Sequence, residues 1–163
     1  MTAKRMLVAG FMLLAALLAG CGVQPSGVIK GDLAPQGPAE GARLYFVQNM
    51  RLTMVLRPTN QELSPSAALD LLAGGPDSDE QNLGFSTDIP AGVGLRGIFA
   101  DGPGQVMILL STDVAALSAT AVDQLVCTVR GAGGSQSQPP GPATVVLSDG
   151  GRTRGPQSCP LFS

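Results

Sequence analysis

A chain of 163 residues with no His, no Trp and a single Tyr lacks the commonest general base and metal ligand, which argues against an enzyme. The net charge is −2 and no run of Lys or Arg occurs, so a nucleic-acid surface is set aside. Hydrophobic residues make up 44% but aromatic residues only 4%, so a core must be built mainly from Leu, Val, Ile and Ala.

The chain opens with Lys4 and Arg5, then an apolar run from Met6 to Leu18, then Ala19, Gly20 and Cys21. A basic head, an apolar middle and small residues at a cut site are the order of a secretory signal. The apolar run is well short of the roughly twenty residues that span a bilayer. The stretch Leu18-Ala19-Gly20-Cys21 resembles the bacterial lipoprotein signal. That resemblance implies a diacylglyceryl group on the Cys21 thiol and cleavage before it. The chemistry needs a thiolate nucleophile at this place. The bland alternative is a plain secretory signal with an incidental Cys. Residues 1–20 are therefore expected to be a lipoprotein signal peptide. The mature chain would sit at the cell membrane, lipid-anchored on its extracytoplasmic face. Removing Lys4 and Arg5 would leave 8 basic against 12 acidic residues.

Residues 21–42 carry Pro25, Gly27, Pro35, Gly37, Pro38 and Gly41 with no apolar period, which reads as a flexible tether. About twenty such residues reach roughly 25 Å. Residues 43–163 are then one folded domain.

Leu44-Tyr45-Phe46-Val47 is expected to be a strand, and Leu52 to Leu56 a second, with a turn at Gln48 to Arg51. Asn49 tolerates the left-handed conformation such a turn needs. Ser64-Pro65 starts a helix and Gly74-Gly75-Pro76 stops it. Asp77 to Glu80 follow as an acidic turn or a short helix N-terminus. Asp77, Asp79 and Glu80 could in principle hold a hard cation, but they lack the EF-hand spacing. A solvated acidic turn is the better reading.

Phe85 to Ile89 is expected to be a strand ended by Pro90. Gly92-Val93-Gly94-Leu95-Arg96-Gly97 fits G-x-G-x-x-G, yet strand and turn residues follow it where a dinucleotide site needs a helix. It reads as a glycine-rich loop. Leu95–Ala100 and Gln105–Leu110 form the clearest hairpin, joined by Asp101-Gly102-Pro103-Gly104. The strongest helix follows, capped by Thr112 or Asp113. Val114, Leu117, Ala121, Leu125 and Val129 form its apolar stripe, and Gly131 ends it. A loop at Gly133 to Pro142 leads to a last strand at Thr144–Leu147. Arg152 and Arg154 read as surface.

The expected order β-β-α-β-β-β-α-β gives a two-layer α+β domain, a mixed or antiparallel sheet with two helices on one face. Cys127 and Cys159 remain once Cys21 takes lipid, and an oxidising compartment favours a disulfide between them. A buried thiol at Cys127 or an intermolecular bridge at Cys159 are the alternatives. No catalytic or metal-ligating set emerges: there is no G-x-S-x-G elbow, and Lys30, the one Lys after the leader, lies in the tether.

Leu44-Tyr45-Phe46-Val47, then Ala68 to Gly74 with Pro76, then Gly84, Thr87 and Pro90 form a recognisable series. Val106 to Ser111, Leu117-Ser118 and Gln124 to Thr128 complete it. In order and spacing it resembles a GerMN domain, the sporulation and germination module of Gram-positive envelope lipoproteins. Leu109 stands where relatives often carry an acidic residue. The resemblance implies a compact fold akin to ring-building motifs, no catalysis, and binding to other proteins, sometimes by stacking side by side. No cofactor is expected, and the partner would be another protein of the envelope. The implied function is a lipid-anchored interaction module, with sporulation or wall control as its setting. The alternative is an envelope lipoprotein that binds a small ligand.

Overall fold

A computed structural model describes residues 41–59, 63–132 and 142–162. The expected leader, Cys21, nearly all of the tether and most of the loop after Gly133 lie outside the described residues.

Strands β1 (Gly41–Gln48) and β2 (Arg51–Pro58) pair antiparallel along their whole length, from Gly41 opposite Pro58 to Gln48 opposite Arg51. The strand begins at Gly41, three residues before the apolar run. A Cβ on Gly41 would collide with the Arg57 carbonyl, so a glycine is required at a place where glycine otherwise signals tether. The connecting turn holds Asn49 at φ 51° and Met50 at φ 60°, the pattern of a type I′ turn.

Helix α1 (Pro65–Ala73) starts as expected: the Ser64 hydroxyl accepts the Ala67 N–H at 3.3 Å and Pro65 takes the first position. Helix α2 (Ser78–Asn82) is short and closed by a capping box, in which Asp77 accepts the Asp79 and Glu80 N–H groups and Glu80 accepts the Asp77 N–H. Strand β3 is only Phe85–Ser86. The expected continuation to Ile89 fails because its backbone donors are claimed by side chains. The Ile89 N–H goes to the Thr87 hydroxyl, and the Asp88 N–H to Gln124 Oε1.

Strands β4 (Leu95–Ala100) and β5 (Gln105–Leu110) form the expected hairpin. The next segment differs from the sequence reading. Asp113 caps only a single 3-10 turn, Val114–Ala116, and Leu117 then goes extended. Helix α3 (Ala119–Ala132) starts afresh, with the Ser118 hydroxyl accepting the Ala121 N–H at 3.0 Å. Gly131 does not end it. A Cβ there would stand 3.2 Å from the Tyr45 ring and 3.4 Å from Arg43 Cβ, so this glycine lets the helix approach β1 closely. Strands β6 (Thr144–Ser148) and β7 (Thr153–Gln157) follow, then a 3-10 turn at Pro160–Phe162.

The fold is a two-layer α+β domain. Hydrogen bonding divides its strands into a three-stranded antiparallel sheet, β2-β1-β3, and a four-stranded mixed sheet, β4-β5-β6-β7. The β5–β6 pair is parallel, which requires the crossover that α3 supplies. Helices α1 and α3 pack on each other and on β1. One core joins all layers, with Leu44, Phe46, Leu72, Ile108, Leu110, Val126 and Leu147 nearly or fully enclosed.

Candidate interaction surface

Among the described residues the four buried polar side chains, Glu80, Gln124, Thr128 and Ser148, are all hydrogen-bonded within the fold, whereas the buried Arg130 Nε has no partner. Gln124 and Thr128, one turn apart on α3, reach the β1 backbone at Tyr45. Gln124 Nε2 donates to the Tyr45 carbonyl at 2.9 Å, and Thr128 Oγ1 accepts the Tyr45 N–H at 3.2 Å. Strand β3 covers this edge of β1 only at Val47 and Gln48, so the helix side chains complete the ladder where β3 stops.

The acidic turn is likewise occupied. Arg57 on β2 donates Nε and Nη2 to the two Glu80 oxygens at 2.8 and 2.6 Å, and Nη2 also to the Gly75 carbonyl at 2.8 Å. Its guanidinium lies 5.3 Å from the Phe46 ring centre. The bidentate bonds to Arg57 hold the Glu80 carboxyl below the usual glutamate range, and the same pair raises Arg57. Among the described residues no group of three His, Cys, Asp or Glu is arranged to hold a metal ion.

Arg152 is on the surface as expected, in an exposed ion pair with Asp113 at 3.0 Å just before β7. Arg154, half-buried on β7, differs: it donates to the Leu117 carbonyl at 2.5 Å and fastens the strand beside the 3-10 turn. In the glycine motif, Gly92 takes φ 84° and the Gly94 N–H donates to the Ser111 hydroxyl at 2.8 Å. Strand β4 follows and no helix does, so the motif is a strand entry.

Cys127 and Cys159 are bonded to each other. The bond fixes the final turn against α3, where the Phe162 ring meets Tyr45 edge-on at 6.1 Å and lies 5.1 Å from the Arg130 guanidinium. Burial pushes the Tyr45 hydroxyl up.

Among the strands that end a sheet, β2 is the longest. Strand β2 ends its sheet, and no described strand pairs with its outer side. Met54 on this strand is 46% exposed, and at the hairpin tip Met50 is 97% exposed. Leu83, whose carbonyl accepts from Gln48, is 68% exposed near the same end. Sequence reading found the strand but not its edge position, which depends on sheet order rather than local pattern. No helix among the described residues is long and apolar enough to cross a membrane.

The family model described as Germane, sporulation and spore germination, matches residues 43–138. The match covers more than half of the chain, and the chain belongs to this family. No curated protein and no solved structure matches it. Strand β1 from Arg43 onward, strands β2 to β5 and helices α1 to α3 lie within the matched region, whereas β6, β7 and Cys159 lie beyond it.

Proposed function

We propose that the chain is a non-enzymatic, lipid-anchored module that binds other proteins on the outer face of the cell membrane. The anchor is Cys21, acylated after cleavage at Gly20. Two acyl chains suffice for stable attachment at about 0.8 kcal/mol per buried methylene. Anchoring confines the domain near the membrane and raises its effective concentration toward partners held there. The observation that carries the reading is the small-residue sequence Leu18-Ala19-Gly20-Cys21 behind a basic, apolar leader. Family membership and the exposed apolar end of the β1–β2 hairpin support an interaction role. The partner would belong to sporulation or to control of the wall.

Two measurements test it. The native protein is expected to start at Cys21, carry acyl mass and stay with membranes, and Cys21→Ser is expected to abolish all three. Cross-linking in intact cells, read by mass spectrometry, is expected to recover envelope proteins. A native protein that starts elsewhere and washes off membranes removes the anchor. Recovery of no other protein removes the hetero-partner role.

A further inference from the structure

We infer that the outer edge of β2 is the contact through which two copies of this chain pair, antiparallel, about a two-fold axis at Met54. This names a partner for the interaction surface and rests on the reading of the chain as an interaction module.

The first argument is backbone parity. The Tyr45 N–H and C=O point away from β2, because α3 takes both of them. Tyr45 lies opposite Met54, so this is a non-hydrogen-bonded pair, and the Met54 N–H and C=O must point outward. By the same alternation, Leu52 and Leu56 also face outward. No described residue hydrogen-bonds to these three positions along the outer edge. Their side chains share one face, opposite Val47, Tyr45 and Arg43 across the β1 ladder. Leu52 and Leu56 are half-buried and Met54 is exposed, so the edge offers a short apolar ladder beside unpaired backbone.

The second argument identifies the occupant. Arg51-Leu52-Thr53-Met54-Val55-Leu56-Arg57 reads nearly the same in both directions: Arg, Leu, a β-branched residue, Met, a β-branched residue, Leu, Arg. An isologous two-fold contact requires this kind of self-complementarity. With Met54 on the axis, Leu52 of each copy meets Leu56 of the other and Met54 meets Met54. Thr53 stacks beside Val55. Each outward residue then exchanges both of its backbone bonds, the pattern of strand addition. Pro58 falls opposite Met50, where the turn has already ended the ladder, so its missing N–H leaves no gap.

Charge is consistent with the same register. Arg51 of one copy falls opposite Arg57 of the other. Glu80 already neutralises Arg57, and the exposed Asp77 carboxylate stands 3.9 Å from Arg57. The incoming Arg51 therefore meets a local excess of carboxylate rather than a bare cation.

The full-length protein, extracted in mild detergent, is expected to sediment at twice its monomer mass and to dissociate on dilution. Met54→Lys places two ammonium groups on the axis and is expected to weaken the dimer at least tenfold with an unchanged circular dichroism spectrum. Should Met54→Lys unfold, Arg51→Glu serves instead: the residue is exposed, and the reversed charge faces Asp77 and Glu80. In membranes, Met54→Cys is expected to give a disulfide-linked dimer on mild oxidation, well above the wild-type background and above Asp101→Cys at the β4–β5 turn. Wild type that sediments as a monomer at every concentration, or Met54→Cys that links no faster than Asp101→Cys, overturns the proposal. A monomer that still cross-links to a different envelope protein defeats the dimer and leaves the interaction module standing.

Discussion

Glu80 is one of few charged side chains that the fold encloses, and it performs two tasks with one carboxylate. It closes the capping box of α2 and clamps Arg57 of β2. The sequence reading placed Glu80 in solvent, because three acids in four residues suggest a wet turn, and nothing local marks Arg57 as their partner. The clamp gives stability a defined pH dependence. The folded-state pKa of Glu80 is depressed, so its contribution is fully present above the unfolded glutamate value of about 4.3. It is lost as pH falls through the lower folded value. Glu80→Gln keeps the shape but loses charge-assisted bonds, at about 1.5–3 kcal/mol near neutral pH. Urea melts at pH 7 and pH 3 are expected to show a large gap between wild type and variant at pH 7 and a smaller one at pH 3. A gap that does not narrow in acid would mean that the carboxylate charge is not what stabilises.

Among elements, those with local chemistry at both ends were legible. Helix α1 has Ser64 and Pro65 at its start and paired glycines at its stop, and the β4–β5 hairpin has its Asp-Gly-Pro-Gly turn. Elements decided by distant partners were not. Strand β3 stops short because Gln124, far along the chain, takes the Asp88 N–H. Strand β7 contains Gly155 and Pro156, which read as loop, and it forms because β6 offers an edge. The apolar stripe runs back through Leu117 and Val114 without a break and so points to a start too early for α3, because Leu117 is extended. The cap therefore moves from Asp113 to Ser118, and the two should differ in cost. Ser118→Ala is expected to lower stability by about 1 kcal/mol, since it uncaps a fourteen-residue helix that packs on β1. Asp113→Ala is expected to cost less, since it caps one 3-10 turn and its ion pair with Arg152 is exposed. Equal thermal shifts for the two variants would contradict this assignment.

At the scale of the molecule, the Cys127–Cys159 bond spans 32 residues and encloses the whole β6–β7 segment. In the chain-entropy account such a loop contributes on the order of 3–4 kcal/mol. Reduction, or Cys127→Ser with Cys159→Ser, is expected to lower the melting temperature by about 10 °C. It is also expected to expose Tyr45 to solvent as the Phe162 turn lets go, visible as a change in tyrosine absorbance. No shift on reduction would show that the tail is held by packing alone. The other end of the domain has a mechanical consequence. Strand β1 is the first element of the described residues, lies in the middle of its sheet, and is registered with β2 from its first residue to its last. Tension drawn through Gly41 along the strand axis shears that whole ladder at once instead of peeling it bond by bond. If the leading segment is anchored at the membrane through Cys21, as proposed, a domain pulled by a bound partner would thus resist mechanical unfolding far better than its thermal stability alone suggests.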